Sequence, residues 1–187
     1  MVEQNRLSWD AINLEEKLNL LIEVVRGVES ETPKRNTRML RKTHRWISQL
    51  EDVANNLTRI RKNLAPKLER ALHVSFKSIE LLQVALFQPS TKNLFSEIEI
   101  QFSSEKKGIL KEDDYRTLVS LSEIAKSLAL VGDAAISIAV LHHIWQPKAT
   151  DVGTLTQRRA EIVSNEHLAK VCDSWELYEQ RIHFDPV

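Results

Sequence analysis

Between Lys126 and Trp145 the chain reads KSLALVGDAAISIAVLHHIW, and from Ser127 to Leu141 its only charged side chain is Asp133. Apolar residues at Leu128, Leu130, Val131, Ala134, Ala135, Ile138, Ala139 and Leu141 cover most of a helix circumference. A helix apolar nearly all round is a buried one, so a soluble core helix is expected here. It is too short and too interrupted for a bilayer, which takes ~20 apolar residues with no carboxylate at the centre. Asp133 then needs a partner, because an unpaired buried charge is strongly unfavourable. Two readings stand: a paired or capping carboxylate at a kink allowed by Gly132, or a metal ligand projecting from a rigid helix into a cleft.

The rest of the chain suits long helices. Gly is scarce at 4 and Pro at 5 in 187 residues, which disfavours a turn-rich β protein. The lone Cys172 excludes an internal disulfide and a cysteine-based zinc cluster. The start, MVEQNRLSWD, has no basic and apolar leader, so a cytoplasmic location is expected. Lys+Arg and Asp+Glu balance at 26 each, yet residues 33–70 hold eleven basic against three acidic side chains. Such asymmetry points to a polyanion or an acidic protein surface as partner for the basic part.

Taken in order, residues from about Ser8 to Arg26 read as a first helix, with Ser8 or Asp10 as cap and Gly27 opening a loop. A second helix follows from Arg35 to Leu64 with an apolar stripe at Leu40, Ile47, Leu50, Val53, Leu57, Ile60 and Leu64; together they make a helical hairpin. Pro66 restarts or kinks it. Lys34, Arg35, Arg38, Arg41, Lys42 and Arg45 gather at the start of this second helix, the less favourable end for cations. They form either a solvated basic face or a set of phosphate contacts that track a backbone without reading bases. Trp46 beside them is read as core. Phe76–Phe87 is a helix, and FSEIEIQF at 95–102 is taken as helix over strand. A helix from 113 to 145 contains the Asp133 stretch, and Thr154–Asp173 is expected as one further helix. Adjacent His142 and His143 point ~100° apart on a helix and cannot chelate one ion by themselves. No GxGxxG or GxxxxGK[ST] loop is present.

Three segments in order resemble the ribonuclease III family. Gly132-Asp133-Ala134, within an L-x-L-x-G-D-A-x-x-S helix, resembles its signature helix. Leu81–Ser90 (LLQVALFQPS) is similar to its opening LLxxALTHPSY, with Phe87-Gln88 where Thr-His is usual. Gly153–Ala169 follows its G-x-L-T-x-x-R-A-x-x-V-S-N-E-x-L-A segment. The resemblance covers roughly residues 79–180. It implies an all-α fold, a homodimer joined through the signature helices, and Mg²⁺-dependent hydrolysis of double-stranded RNA with Asp133 as catalytic metal ligand. It also locates departures. Lys126 and Ala129 stand where longer members carry Glu, although the minimal bacterial members also read L-A-x-x-G-D-A there. Lys126 is read as repelling a metal or gripping a phosphate. The family's later carboxylate helix is not evident; Asp173 and Glu176 have D-x-x-E spacing but come early for it. Either this copy has lost the reaction or the natural chain continues past Val187.

The expectation is therefore an all-α protein: a basic helical hairpin over 1–72 and a ribonuclease III-like domain over 73–187. Its function is to bind structured or double-stranded RNA with little or no catalysis, Mg²⁺ binding being weak or lost. The alternatives are an active Mg²⁺-dependent endoribonuclease in RNA processing, using Asp133 with Asp173 and Glu176, and a structural dimeric interaction module. Lys34, Arg35, Arg38, Arg41, Lys42, Arg45 and Lys126 are the expected RNA contacts; Gly132, Ala135 and Ala139 the expected dimer contacts. No membrane partner is expected.

Overall fold

The structure, a computed structural model, describes residues 10–102, 110–145 and 151–184. Among these the chain is all-α. Helix α1 (Leu14–Glu31) buries Leu14, Leu18, Leu21, Ile22 and Val25, one stripe at helical spacing. It packs along α2 (Thr37–Arg59), whose Ile47, Leu50, Val53 and Leu57 are buried on the facing side. Gly27 lies inside α1 rather than after it. A glycine inside a helix costs about 1 kcal/mol relative to alanine, and packing beyond it offsets this, since Val28 lies against the core. Asn36 starts α2, its side chain accepting from the Met39 amide at 3.2 Å.

The start of α1 is capped from a distance. Asn13 has left-handed backbone and no side-chain cap; Asp10 lies before the helix and Ser8 outside the described residues. The Glu80 carboxylate instead accepts from the Ile12 and Leu14 amides at 2.8 and 2.9 Å. The Leu14 amide is among those that a helix start leaves without partners, and Ile12 lies just before the cap residue. Glu80→Ala is expected to lower the unfolding free energy by about 1–3 kcal/mol in a urea titration. Glu80→Gln, which keeps one acceptor oxygen, should lose less.

After α2 the chain passes through a π-helical turn, Ile60–Leu64, into α3 (Ala65–Leu72), with Pro66 in the first turn of α3. The wide turn lets the chain re-enter an α-helix at a proline that has no amide hydrogen to offer. Helix α4 (Ile79–Ala85), a 3₁₀ turn at Pro89–Thr91 and α5 (Lys92–Phe102) follow. FSEIEIQF is thus helical, and Phe95, Ile98 and Phe102 are buried by it. The apolar core is one cluster that runs from Leu14 through Trp46 and Phe87 to Leu121. It is continuous across residues 72 and 73.

Helix α6 (Glu112–Ile144) is 33 residues long, roughly 50 Å at 1.5 Å per residue. Its first half buries Tyr115, Leu118, Leu121 and Ala125 against α4 and α5. Lys17 of α1 pairs with Asp114 at 2.9 Å, and that hydrogen bond holds the Asp114 carboxyl below its ordinary value. The second half has no buried residue at all. The expectation of a core helix around Asp133 therefore fails within one chain. Leu130 is 73% and Ile138 69% exposed.

The expected single helix over Thr154–Asp173 is two. Helix α7 (Val152–Ile162) packs on α6, and α8 (Asn165–Ser174) follows after a break at Ser164. Ser164 Oγ accepts from the His167 amide at 3.2 Å, a cap that starts α8. Neither helix buries a residue. The chain then returns to the core: Ile182, fully buried, donates to Leu86 O at 2.9 Å and accepts from the Gln88 amide at 3.0 Å.

Candidate functional site

Asp133 sits on the exposed half of α6, itself exposed, and makes no ion pair with any described residue. It therefore carries no desolvation penalty in a single chain, and neither a buried partner nor a kink explains it. Gly132 is helical with negative φ, and α6 runs unbroken through it. A methyl group built on Gly132 would meet nothing within 4 Å. Ala135 and Ala139 are exposed beside it. Around them lie Leu130, Val131, Ile136, Ile138 and Leu141, all exposed apolar side chains. The smallness of Gly132 thus answers to nothing inside one chain.

Among the described residues, α6 is long and apolar enough to cross a membrane by length and composition. Length therefore does not exclude a span, contrary to the expectation from sequence. The carboxylate in the middle of the apolar stretch still weighs against one, and the first half of the same helix is packed into the core.

The other expected carboxylates do not gather round Asp133. Ala129 and Lys126 stand one and two turns before it. Lys126 is held by Glu123 at 3.0 Å, a bond that keeps the Glu123 carboxyl below its usual range. Asp173 is exposed near the end of α8. Glu176 lies past that end with φ of 57°, so it does not share a helical face with Asp173. Its carboxylate accepts from Lys67 of α3 at 2.7 Å and is held below its ordinary value by that bond. The D-x-x-E spacing presumes a continuous helix, and the helix stops between the two residues.

A cleft of about 520 Å³ between α7 and α8 is lined by Glu161, Ser164, Glu166, His167 and Lys170. Its carboxylates have local partners: Gln157 donates to Glu161 at 3.2 Å, and Lys170 pairs with Glu166 at 2.8 Å. Sequence reasoning passed over this cleft because it depends on the break at Ser164. No group of three or more His, Cys, Asp or Glu residues that could hold a metal ion occurs among the described residues.

The basic cluster divides in two. Arg45 pairs with Glu97 of α5, and the same Glu97 oxygen accepts from Trp46 Nε1 at 3.0 Å. Lys42 lies over the Trp46 ring, 4.6 Å from its centre. Arg45 thus fastens α2 onto α5 beside a fully buried Trp46, while Lys42 stacks on that ring from its own helix. Lys34, Arg35, Arg38 and Arg41 are exposed at the tip of the α1–α2 hairpin and form no ion pair among the described residues. Arg41 reaches only its own helix, at Thr37 O, 3.4 Å away. Four free cations at a helix start concentrate positive charge where the helix dipole adds to it.

Residues 126–186 match the ribonuclease III domain. Over this C-terminal third the chain is similar to a ribonuclease III domain. The match takes in Gly132-Asp133-Ala134 and the whole Gly153–Ala169 segment, and stops short of Leu81–Ser90. Searches of curated proteins and of solved structures find no match. Ribonuclease III domains use divalent metal, which carboxylates must hold, since Mg²⁺ gives up its water only where several oxygens converge. The described residues do not fit that requirement: Asp133 is solitary, and Glu123 and Glu176 are each taken up by a lysine. Nearly all of the matched segment lies outside the chain's own core, with Ile182 its one buried residue among those described.

Proposed function

We propose that this chain is a homodimeric ribonuclease III-like protein that binds structured or double-stranded RNA and cleaves it little or not at all. The observation that carries this reading is the signature helix. It keeps Gly132-Asp133-Ala134 in an exposed apolar face, while among the described residues no group of carboxylates that could hold a metal gathers round Asp133. The exposed apolar half of α6 suits a second copy, whose own Gly132, Ala135 and Ala139 allow close approach of the two helices. The 1–72 hairpin supplies Lys34, Arg35, Arg38 and Arg41 to phosphates, a mode that reads A-form shape rather than sequence.

A second reading, the Mg²⁺-dependent endoribonuclease, is favoured by one fact: Asp133 is exposed and free of any cation. Incubation of duplex RNA with the purified protein and Mg²⁺, beside an Asp133→Ala control, separates the two. The expected result is retained duplex with both proteins. Metal-dependent product that disappears in the variant would overturn the inactive reading.

A further inference from the structure

The segment after α8 carries an exposed aromatic ring that no core requirement explains. Tyr178 is 60% exposed, and the Arg181 guanidinium lies 3.3 Å from the centre of its ring. Arg181 Nε also donates to Tyr178 O at 2.8 Å, so the stacked pair is fixed by its own backbone. It is pinned on both sides. Lys67 holds Glu176 before it, and buried Ile182 joins Leu86 and Gln88 after it. Arg59 at the end of α2 donates to Glu179 O at 2.9 Å, which sets the π-helical turn beside the stack.

That neighbouring turn is strongly basic. Between Arg59 and Arg70 five cations face one acid, Glu69. Arg61 is taken by Glu15 at 2.7 Å and Lys67 by Glu176. Lys62, one turn on from Arg59, is exposed with no ion pair among the described residues. Arg70, one turn on from Lys67, reaches only Pro66 O of its own helix, at 3.1 Å. π-helical turns interrupt regular pairing and recur at functional sites. A rigid aromatic face backed by a guanidinium, with unpaired cations alongside, has the chemistry that receives a base and its phosphate.

We infer that Tyr178, with Arg181, Lys62 and Arg70, forms a stacking platform for an unpaired nucleotide of an RNA strand. A base lies on the free surface of Tyr178, and Lys62 and Arg70 meet the adjoining phosphates. This platform uses none of the residues assigned above to duplex binding. It suits an RNA that carries a loop, bulge or single-stranded end next to its paired part, since only splayed bases can stack on a side chain.

The test uses fluorescence anisotropy at low salt with the full chain and two probes, a labelled ten-nucleotide single-stranded RNA and a blunt duplex. Tyr178→Ala is expected to weaken single-strand binding roughly 5- to 100-fold, the range seen for loss of one base stack. Tyr178→Phe, which keeps the ring, should bind as the parent does, and Lys62→Glu should weaken binding. Both residues changed, Tyr178 and Lys62, are exposed, and an unchanged melting temperature confirms the fold. Tyr178→Ala binding the single strand as tightly as the parent overturns the inference. So does a parent protein that binds no single strand at 20 mM salt, roughly the low-screening regime. Loss of duplex binding alone, on removal of the hairpin arginines, bears on the duplex reading and leaves the platform standing.

Discussion

Arginine at both Ala135 and Ala139 is expected to convert the proposed dimer into a monomer. The two side chains are exposed in a single chain, so the substitutions disturb no packing within it. Across a two-fold axis, however, the arginines of the two copies would face one another along one seam, and a buried unpaired charge with a like charge opposite is strongly unfavourable. The expected loss is on the order of 3–5 kcal/mol of association energy, a rise in Kd of at least a hundredfold. Sedimentation equilibrium measures it directly. Helix content should persist, because the core formed by α1–α5 and the first half of α6 contains none of these atoms. A parent protein that sediments as a monomer at tens of micromolar, or a doubly charged variant that still pairs, means that something other than a second copy covers α6.

Removing Arg35, Arg38 and Arg41 together, as glutamines, strips the hairpin tip of three free cations. If each meets a phosphate, the slope of log affinity against log salt falls by about 2 to 3, and affinity for duplex RNA drops roughly 100- to 1,000-fold near 0.1 M salt. The loss should be the same for any duplex sequence, since phosphate contacts carry no base information. Arg45→Gln provides the contrast. That guanidinium is bound to Glu97 beside Trp46, so its loss should lower the melting temperature more than it weakens RNA binding. An unchanged salt slope in the triple variant would remove the hairpin from the RNA contact altogether.

The helices themselves were legible because their apolar stripes repeat at helical spacing, and Leu50, Val53, Leu57 and Ile60 are buried as that spacing requires. The similarity to ribonuclease III domains was legible because Gly132-Asp133-Ala134 and Gly153–Ala169 are local strings. The destination of the apolar half of α6 was not. Periodicity says that a face must be covered, and it does not say whether the cover is the same chain or another. The D-x-x-E reading failed for a related reason: spacing puts two carboxylates on one face only while the helix lasts, and this one ends at Ser174. The cap on α1 was invisible too, since Glu80 lies more than sixty residues away along the chain.

By itself the sequence determined what depends on neighbours along the chain: an all-α fold, the basic hairpin, and the solitary acid within an oily stretch. Tertiary structure alone decided which charges remain free. It set Arg45 and Lys67 on Glu97 and Glu176, while Lys126 met Glu123 one turn back on its own helix, and left Lys34, Arg35, Arg38, Arg41 and Asp133 open. Two of those three ion pairs join residues far apart in the chain. Such pairs form only after the backbone has brought the partners within a few ångströms, a distance that no local pattern encodes.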